Sequence, residues 1–344
     1  MDNDNKIIVN GNIATAEGLL RAGCRFFAGY PITPSTDILE NLSYRMEEEK
    51  GVFIQAESEL AAINMVFGAA AAGARAATAT SGPGFSLYQE GISYMAADDV
   101  PSVIINVMRE GSGLGDIPRS QADYNQMTKG GGNGDYHCIV LAPCSVSECA
   151  NFPKIAFELA EKYKLPVIIT YDSDIGHMIE SVEYPQYENH NIDKYDWTLK
   201  GCSDVSKYRT IQNVYYHNKN YDKYLFDKCR EIENNEQRYE EYMTEDAEVI
   251  LVAFGICARI AKDAVNVARE KNIKLGMIRP ITLYPFPIDA FKNKNNIKKY
   301  ISVELNILGQ MADDIKLATK NNVVVEHISK MSTLPTVEEI LNII

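Results

Sequence analysis

Residues 53–73 constrain this chain more than any other stretch. They read Phe53-Ile-Gln-Ala-Glu-Ser-Glu-Leu-Ala-Ala-Ile-Asn-Met-Val-Phe-Gly-Ala-Ala-Ala-Ala-Gly73. A short apolar run passes into a helical pattern. In it Leu60, Ala61, Ala62, Ile63, Met65, Val66, Phe67 and the alanines at 69–72 go right round the wheel. A helix apolar on every side is expected to be buried on every side, which places it inside a layered fold. Glu57 and Glu59 fall at its first turn. Backbone N–H groups point at that turn and favour a carboxylate there. The apolar surroundings meanwhile strip water from it. A carboxylate held between these two effects is either a site for acid–base work or the cap of a core helix.

Around this helix the pattern alternates. Residues 10–24 carry a helical period that ends at Gly23, and Phe26, Phe27 and Ala28 form a short strand. The two prolines of Gly29-Tyr-Pro-Ile-Thr-Pro-Ser35 forbid a helix and fix an extended loop. Ser35 or Thr36 then caps a helix over 37–49. Residues 52–55 and 76–80 read as strands, 81–84 as a tight turn, 85–97 as a helix, and 103–108 as a buried strand ending at Arg109. Such alternation predicts an α/β fold with a doubly wound parallel sheet covered on both faces. Ligands of these sheets bind beyond the carboxyl ends of the strands. The loops at those ends hold residues 30–35, Glu57 and Glu59, residues 81–84, and Arg109.

Residues 110–135 are rich in glycine, and a loop this long is functional or mobile. A strand at 139–141, a helix at 145–163 and a strand at 166–171 complete a first domain, 1–185. Residues 186–246 are rich in Tyr, Asn, Asp, Glu and Lys and read as a linker or insertion with a charged helix over 221–243. A smaller alternating α/β domain, 247–344, follows. Its strands fall at 249–254, 275–278, 300–304 and 323–326, and its helices at 258–271, 313–320 and 337–344.

Composition and missing motifs exclude several functions. Lys plus Arg number 34 against 47 Asp plus Glu, a net charge of −13, which argues against nucleic-acid or anionic-membrane partners. The N-terminus is polar and acidic where a signal peptide is basic and then apolar. No apolar run approaches the roughly 18 residues that span a bilayer. The seven cysteines include no C-x-x-C pair, which reads as reduced cytoplasmic thiols and excludes a self-contained iron–sulfur cluster. No G-x-G-x-x-G follows a strand, no P-loop is present, and the five histidines are dispersed. Ser81-Gly-Pro-Gly84 could cradle an anion at a helix N-terminus.

Four blocks together carry a resemblance: Gly29-Tyr-Pro-Ile-Thr-Pro-Ser35, Gln55-Ala-Glu-Ser-Glu59, Thr80-Ser-Gly-Pro-Gly84 and Asn106-Val-Met-Arg109. In order and spacing they resemble the α subunit of the 2-oxoacid:ferredoxin oxidoreductases, enzymes that depend on thiamine diphosphate. Arg279-Pro280, Pro285-Phe-Pro287 and Val303-Glu-Leu-Asn306 through Gly309-Gln310 resemble that family's transketolase C-terminal-like domain. Gln55-Ala-Glu-Ser-Glu59 and Lys129-Gly-Gly-Gly-Asn-Gly-Asp-Tyr136 look closest to the branched-chain (2-oxoisovalerate) type. The block at 26–36 is as close to the 2-oxoglutarate type.

The resemblance implies roles. Glu59 matches the glutamate that bonds the aminopyrimidine ring, with Glu57 left to structure. Arg109 matches the arginine that receives the substrate carboxylate, and Thr33 a threonine that contacts substrate. Tyr30, Pro31, Ile32, Ser81 and Gly82 match positions around the cofactor. The chain has no Gly-Asp-Gly segment to hold the diphosphate through Mg²⁺. The expectation is therefore a pyrimidine half-site. A β subunit would bind the diphosphate, and γ and ferredoxin-like δ subunits, with their iron–sulfur clusters, would complete the enzyme. Coenzyme A and ferredoxin are the further partners implied. The all-apolar helix would then pack one side on its own sheet and the other on a partner. Two other readings stay open: a synthase or transketolase chemistry on the same fold, and a scaffold subunit with a relic site.

Overall fold

The computed structural model describes residues 6–191, 195, 197–199, 201 and 210–344. Cys202 lies outside the described residues, and the other six cysteines are free thiols. The chain opens with β1 (Lys6–Asn10), α1 (Gly11–Arg21), β2 (Phe26–Gly29), α2 (Thr36–Glu48), β3 (Val52–Gln55), α3 (Glu59–Ala71), β4 (Ala76–Thr80), α4 (Gly82–Ala97) and β5 (Ser102–Glu110). Next come β6 (Asp116–Arg119), α5 (Tyr124–Thr128), β7 (Ile139–Leu141), α6 (Val146–Tyr163), β8 (Pro166–Asp172), α7 (Ser173–His177) and β9 (Ile179–Glu183). The connecting stretch holds α8 (Val214–His217), α9 (Tyr221–Asn235) and β10 (Tyr239–Tyr242). The remainder contains β11 (Val249–Ala253), α10 (Gly255–Glu270), β12 (Leu275–Pro280), β13 (Thr282–Tyr284), β14 (Lys299–Glu304), α11 (Gln310–Ala318), β15 (Val324–Ser329) and α12 (Val337–Leu341).

The larger sheet runs β13-β7-β8-β5-β4-β2-β3, with β6 paired to β5. It is parallel from β7 to β3, as the alternation predicts. β5 is buried along nearly its whole length on both faces, which explains its continuous apolar run. The smaller sheet, β10-β12-β11-β14-β15, is parallel except for β10. β1 and β9 form a separate antiparallel pair.

Strand exchange ties the two sheets together. β13, from the C-terminal part, pairs antiparallel with β7 of the larger sheet. β10, from the connecting stretch, edges the smaller one. At the junction Asp172 is fully buried. Its carboxylate accepts from Ile175 N at 3.1 Å, Ile256 N at 2.9 Å and Gln121 Nε2 at 3.0 Å. Burial pushes this carboxyl up to about 6 despite those donors.

Four local expectations need correction. α3 is not buried all round: Leu60, Asn64, Gly68 and Ala72 form an exposed stripe, while Glu59, Ala62, Ile63, Val66, Ala70 and Ala71 are buried. Residues 82–84 are not a separate turn but the first turn of α4. The Ser35 hydroxyl does not cap α2; it donates back to Ile32 O at 2.8 Å. The charged helix stops at Asn235, because Glu236 is drawn inward by Lys162 Nζ and Tyr163 Oη, both at 2.7 Å. No helix among the described residues is long and apolar enough to cross a membrane.

Candidate active site

The carboxyl ends of β3, β2, β4 and β5 lie side by side in the sheet, so the four chemically loaded loops share one edge. After β2, Asn12 Nδ2 donates to Pro34 O at 2.9 Å and pins the proline loop to α1. The Thr33–Pro34 peptide is cis. Pro34 and Ser35 are buried, whereas Tyr30, Pro31 and Thr33 are exposed on the outer side of the loop and Ile32 is half-buried.

After β3, Ser58 caps α3 by accepting from Ala61 N at 3.2 Å. That cap makes Glu59 the first helical residue and turns its side chain inward, leaving it 7% exposed, while Glu57 points to solvent. Glu59 packs on the first turn of α4. A Cβ on Gly84 would stand 2.7 Å from Glu59 Oε1 and 2.1 Å from Thr80 Oγ1, so only glycine fits between them. Gly91 lets α4 approach α3 closely, since a Cβ there would stand 2.7 Å from the Ile63 side chain. Among the described residues nothing donates a hydrogen bond to the Glu59 carboxylate.

At the end of β5 Arg109 is 8% exposed. Its Nη1 donates to Thr33 O at 2.9 Å and its Nη2 to Leu114 O at 2.7 Å. Arg109 and the Thr33 loop are thus in direct contact. Gly82, with φ +23, sits between the two halves of the site, and its missing Cβ would lie 3.6 Å from Arg109 Cγ. Ser81 Oγ, Asn106 Oδ1 and Arg109 Nε are buried without a partner among the described residues. Unmet buried polar atoms are rare in folded proteins, and these three lie around one glycine turn.

The structure adds Asp123, which the sequence did not flag, and brings Gln310 of the C-terminal block to the same place. Asp123 lies half-buried beside this turn, and its Oδ2 accepts from Asn106 Nδ2 at 3.0 Å. Burial pushes its carboxyl up to about 6; Asn106 and the charge of Arg109 act in the opposite sense. Gln310, from α11, clamps this segment by donating to Ala122 O at 2.8 Å and accepting from Asn125 N at 2.8 Å. The only hint in the sequence is that residues 110–135 form a long loop. The stretch in fact holds β6 and α5.

Comparison with known proteins gives the family. Residues 17–248 match the family described as pyruvate flavodoxin/ferredoxin oxidoreductase, thiamine diphosphate-binding, and residues 247–340 match pyruvate:ferredoxin oxidoreductase core domain II. A ketoisovalerate oxidoreductase subunit VorB from Methanothermobacter marburgensis is 48% identical over 91% of this chain and 89% of its own length. A 2-oxoglutarate synthase subunit KorA from Methanothermobacter thermautotrophicus is 36% identical over 98% of this chain and 97% of its own. The solved 2-oxoglutarate:ferredoxin oxidoreductase of Magnetococcus marinus shares the fold with a TM-score of 0.85 at 23% identity, over 98% of this chain. The chain spans 64% of that solved chain's length. The strands, the four-loop edge and these relatives lead to one assignment: the chain belongs to the 2-oxoacid:ferredoxin oxidoreductase family, of the ketoisovalerate/2-oxoglutarate type.

Proposed function

We propose that this chain is the α subunit of an enzyme for the coenzyme A-dependent oxidative decarboxylation of a branched-chain 2-oxoacid such as 3-methyl-2-oxobutanoate. The products are the acyl-CoA and CO₂, with electrons passed to ferredoxin. The observation that carries the reading is the Glu59 carboxylate, nearly buried yet without a donor, on the edge where Arg109 meets the Thr33 loop. The 48% identity to a ketoisovalerate oxidoreductase subunit supports the branched-chain substrate. The 36% identity to a 2-oxoglutarate synthase subunit keeps that dicarboxylate as the alternative.

The residues present suit thiamine diphosphate. An open carboxylate fits a ring nitrogen that gains and loses a proton, and the unmet Ser81 hydroxyl beside Gly82 offers a polar contact. Tyr30, Pro31 and Ile32 would close over the ring from the proline loop. When bound, the cofactor supplies a carbon nucleophile and takes up the electron pair that departing CO₂ leaves behind. Glu59 holds and moves the proton on the ring nitrogen. Arg109 holds the substrate carboxylate with the N–H groups left over from its two carbonyl contacts. Thr33 orients the ketone end of the same substrate.

The proposal divides the chain into a cofactor half, 1–185, a connector, 186–246, and a second half, 247–344. A β subunit would grip the diphosphate through Mg²⁺, and γ and ferredoxin-like δ subunits would carry the iron–sulfur clusters, all in the cytoplasm. The exposed stripe of Leu60, Asn64, Gly68 and Ala72, one residue beyond Glu59, supports a partner on that face. The test is copurification of the complex and assay with a panel of 2-oxoacids, coenzyme A and a viologen acceptor. Reduction driven by a branched-chain 2-oxoacid, absent from the α chain alone, is expected. Full activity from the single polypeptide, or no 2-oxoacid turnover by the complex, would refute the reading.

A further inference from the structure

Asp123 holds none of the roles assigned above, yet it stands among the residues that do. It faces Arg109 across Gly82: the position a Gly82 Cβ would take is 3.8 Å from Asp123 Oδ2 and 3.6 Å from Arg109 Cγ. Its place is fixed from both sheets. Asn106 of β5 donates to it, and Gln310 of α11 grips the backbone on either side of it. Gln121, two residues earlier, is tied by its backbone N–H to Leu305 O at 2.8 Å and by its side chain to Phe254 O at 3.0 Å.

No cation pairs with this carboxylate among the described residues. The charged groups packed around it are already committed or carry the same sign. Arg109 spends two of its N–H groups on the carbonyls of Thr33 and Leu114. Lys129, on its own segment, closes onto Asp314, which also accepts from Tyr124 Oη at 2.6 Å. Glu59 lies beyond Gly84 on the far side of the same turn. Glu304, under α11, is held by backbone and side-chain donors of its own. Asp123 is thus an unpaired carboxylate across Gly82 from the Arg109 stem, within reach of its charge.

We propose that Asp123 is a positioning residue, a carboxylate that feels the charge of Arg109 without pairing with it, and that binding of an anionic 2-oxoacid at Arg109 obliges it to take up one proton. This rests on the reading of Arg109 as the receptor of the substrate carboxylate. Two carboxylates near one guanidinium repel, and the cheaper relief is to protonate the aspartate, the weaker acid of the two. The proton comes from solvent to an Asp123 oxygen, and no bond of the substrate changes. The burial that pushes this carboxyl up to about 6 leaves it mostly ionised at pH 7 in the free protein, so there is a proton to take up. The sign follows. Affinity for the 2-oxoacid is flat below about pH 6 and falls as pH rises above it, by up to tenfold per unit, until the substrate-bound carboxyl also ionises.

The experiment is calorimetric titration of the assembled, cofactor-free complex with 3-methyl-2-oxobutanoate at pH 7, in two buffers of different ionisation enthalpy. The wild type is expected to take up about one proton per 2-oxoacid bound, and Asp123→Asn none, with an affinity that no longer depends on pH between 6 and 8. Asp123→Glu keeps an ionisable group and is expected to restore most of the uptake. Equal proton counts in wild type and Asp123→Asn overturn the proposal, as does an Asp123→Glu protein that binds without uptake. Arg109→Met separates this from the reading beneath it. Loss of binding at every pH upholds Arg109 as the receptor, whereas unchanged binding removes the receptor and the inference with it. If the wild-type complex binds no 2-oxoacid, both fall together.

Discussion

Glu59 and Glu304 occupy the same kind of place, the seam between the carboxyl ends of parallel strands and the start of a helix. Glu304 ends β14 and is fully buried. Its carboxylate accepts from Ser302 Oγ at 2.6 Å, Asn306 Nδ2 at 2.6 Å, Met311 N at 2.9 Å and Ala312 N at 3.2 Å. Glu59 opens α3, is 7% exposed, and accepts from nothing among the described residues. The fully buried Glu304 is satisfied, as buried acceptors normally are, whereas the Glu59 oxygens keep some access to solvent. One seam is finished by the chain itself and holds the smaller sheet to α11. The other is left incomplete, and so is where a ligand can contribute binding energy.

The contrast breaks most visibly in activity. Glu59→Gln should lower turnover of the assembled complex by about 10²–10⁴-fold, the usual worth of a positioned acid or base. The melting temperature of the isolated chain should hardly move, since no hydrogen bond is lost. Glu304→Gln should do the reverse to stability. Its amide N–H₂ would face donors, at a cost of about 3 kcal/mol, read in thermal or urea unfolding of the chain alone. If Glu59→Gln destabilised as much as Glu304→Gln, the two seams would be alike and the argument from unmet hydrogen bonds would fail.

A smaller effect sharpens the same comparison. Gly84→Ala drives a methyl group against Glu59 and Thr80, at a cost of about 1–3 kcal/mol from overpacking. Turnover should fall at least about tenfold as Glu59 is displaced; unchanged kcat and KM would show that the carboxylate is not held by this contact. At the junction, the raised carboxyl of Asp172 gives a pH test. Its folded value, about 6, lies above its ordinary value of 3.8, so the folded chain holds a proton that the unfolded chain releases. Stability should therefore decline as pH rises from about 4 to about 6, and Asp172→Asn should flatten that slope in pH-dependent melts. Smallest of all is Gly68→Ala on the exposed stripe. A Cβ there meets nothing within 4 Å, and the isolated chain should gain up to about 1 kcal/mol from helix propensity. Weaker assembly of the same variant would mean that a partner covers the stripe.

The central strands and the four loops at their ends were legible because alternation over 5–15 residues is a local signal, whereas the spatial order of the strands was not predicted. The inward turn of Glu59 was half legible. The sequence puts two glutamates at the first turn of α3, and the Ser58 cap between them decides which is buried. The open stripe of α3 was not legible, because alanine and glycine look the same whether they face the chain's own sheet or a partner's surface. Asp123 was invisible for a different reason. Its neighbour Asn106 lies 17 residues away, and Gln310, which fixes its segment, bonds Ala122 across 188 residues. β10 and β13 escaped notice because strands of four and three residues are too short to show a period. The stop of α9 at Asn235 is set by contacts of Glu236 with α6, which helix propensity does not sense.

The exchange of β10 and β13 has a bearing on how such a chain can be handled or inherited. Each half lends the other an edge strand, so a cut at residue 247 would bare the amides of β7 on one fragment and of β12 on the other. Bare edges of that kind recruit whatever strand they meet. A gene fission or a truncation between 242 and 275 breaks both pairings and should therefore yield two insoluble pieces, one elsewhere between 141 and 282 still bares β7, and only a break before 139 or after 284 leaves the mutual loan intact.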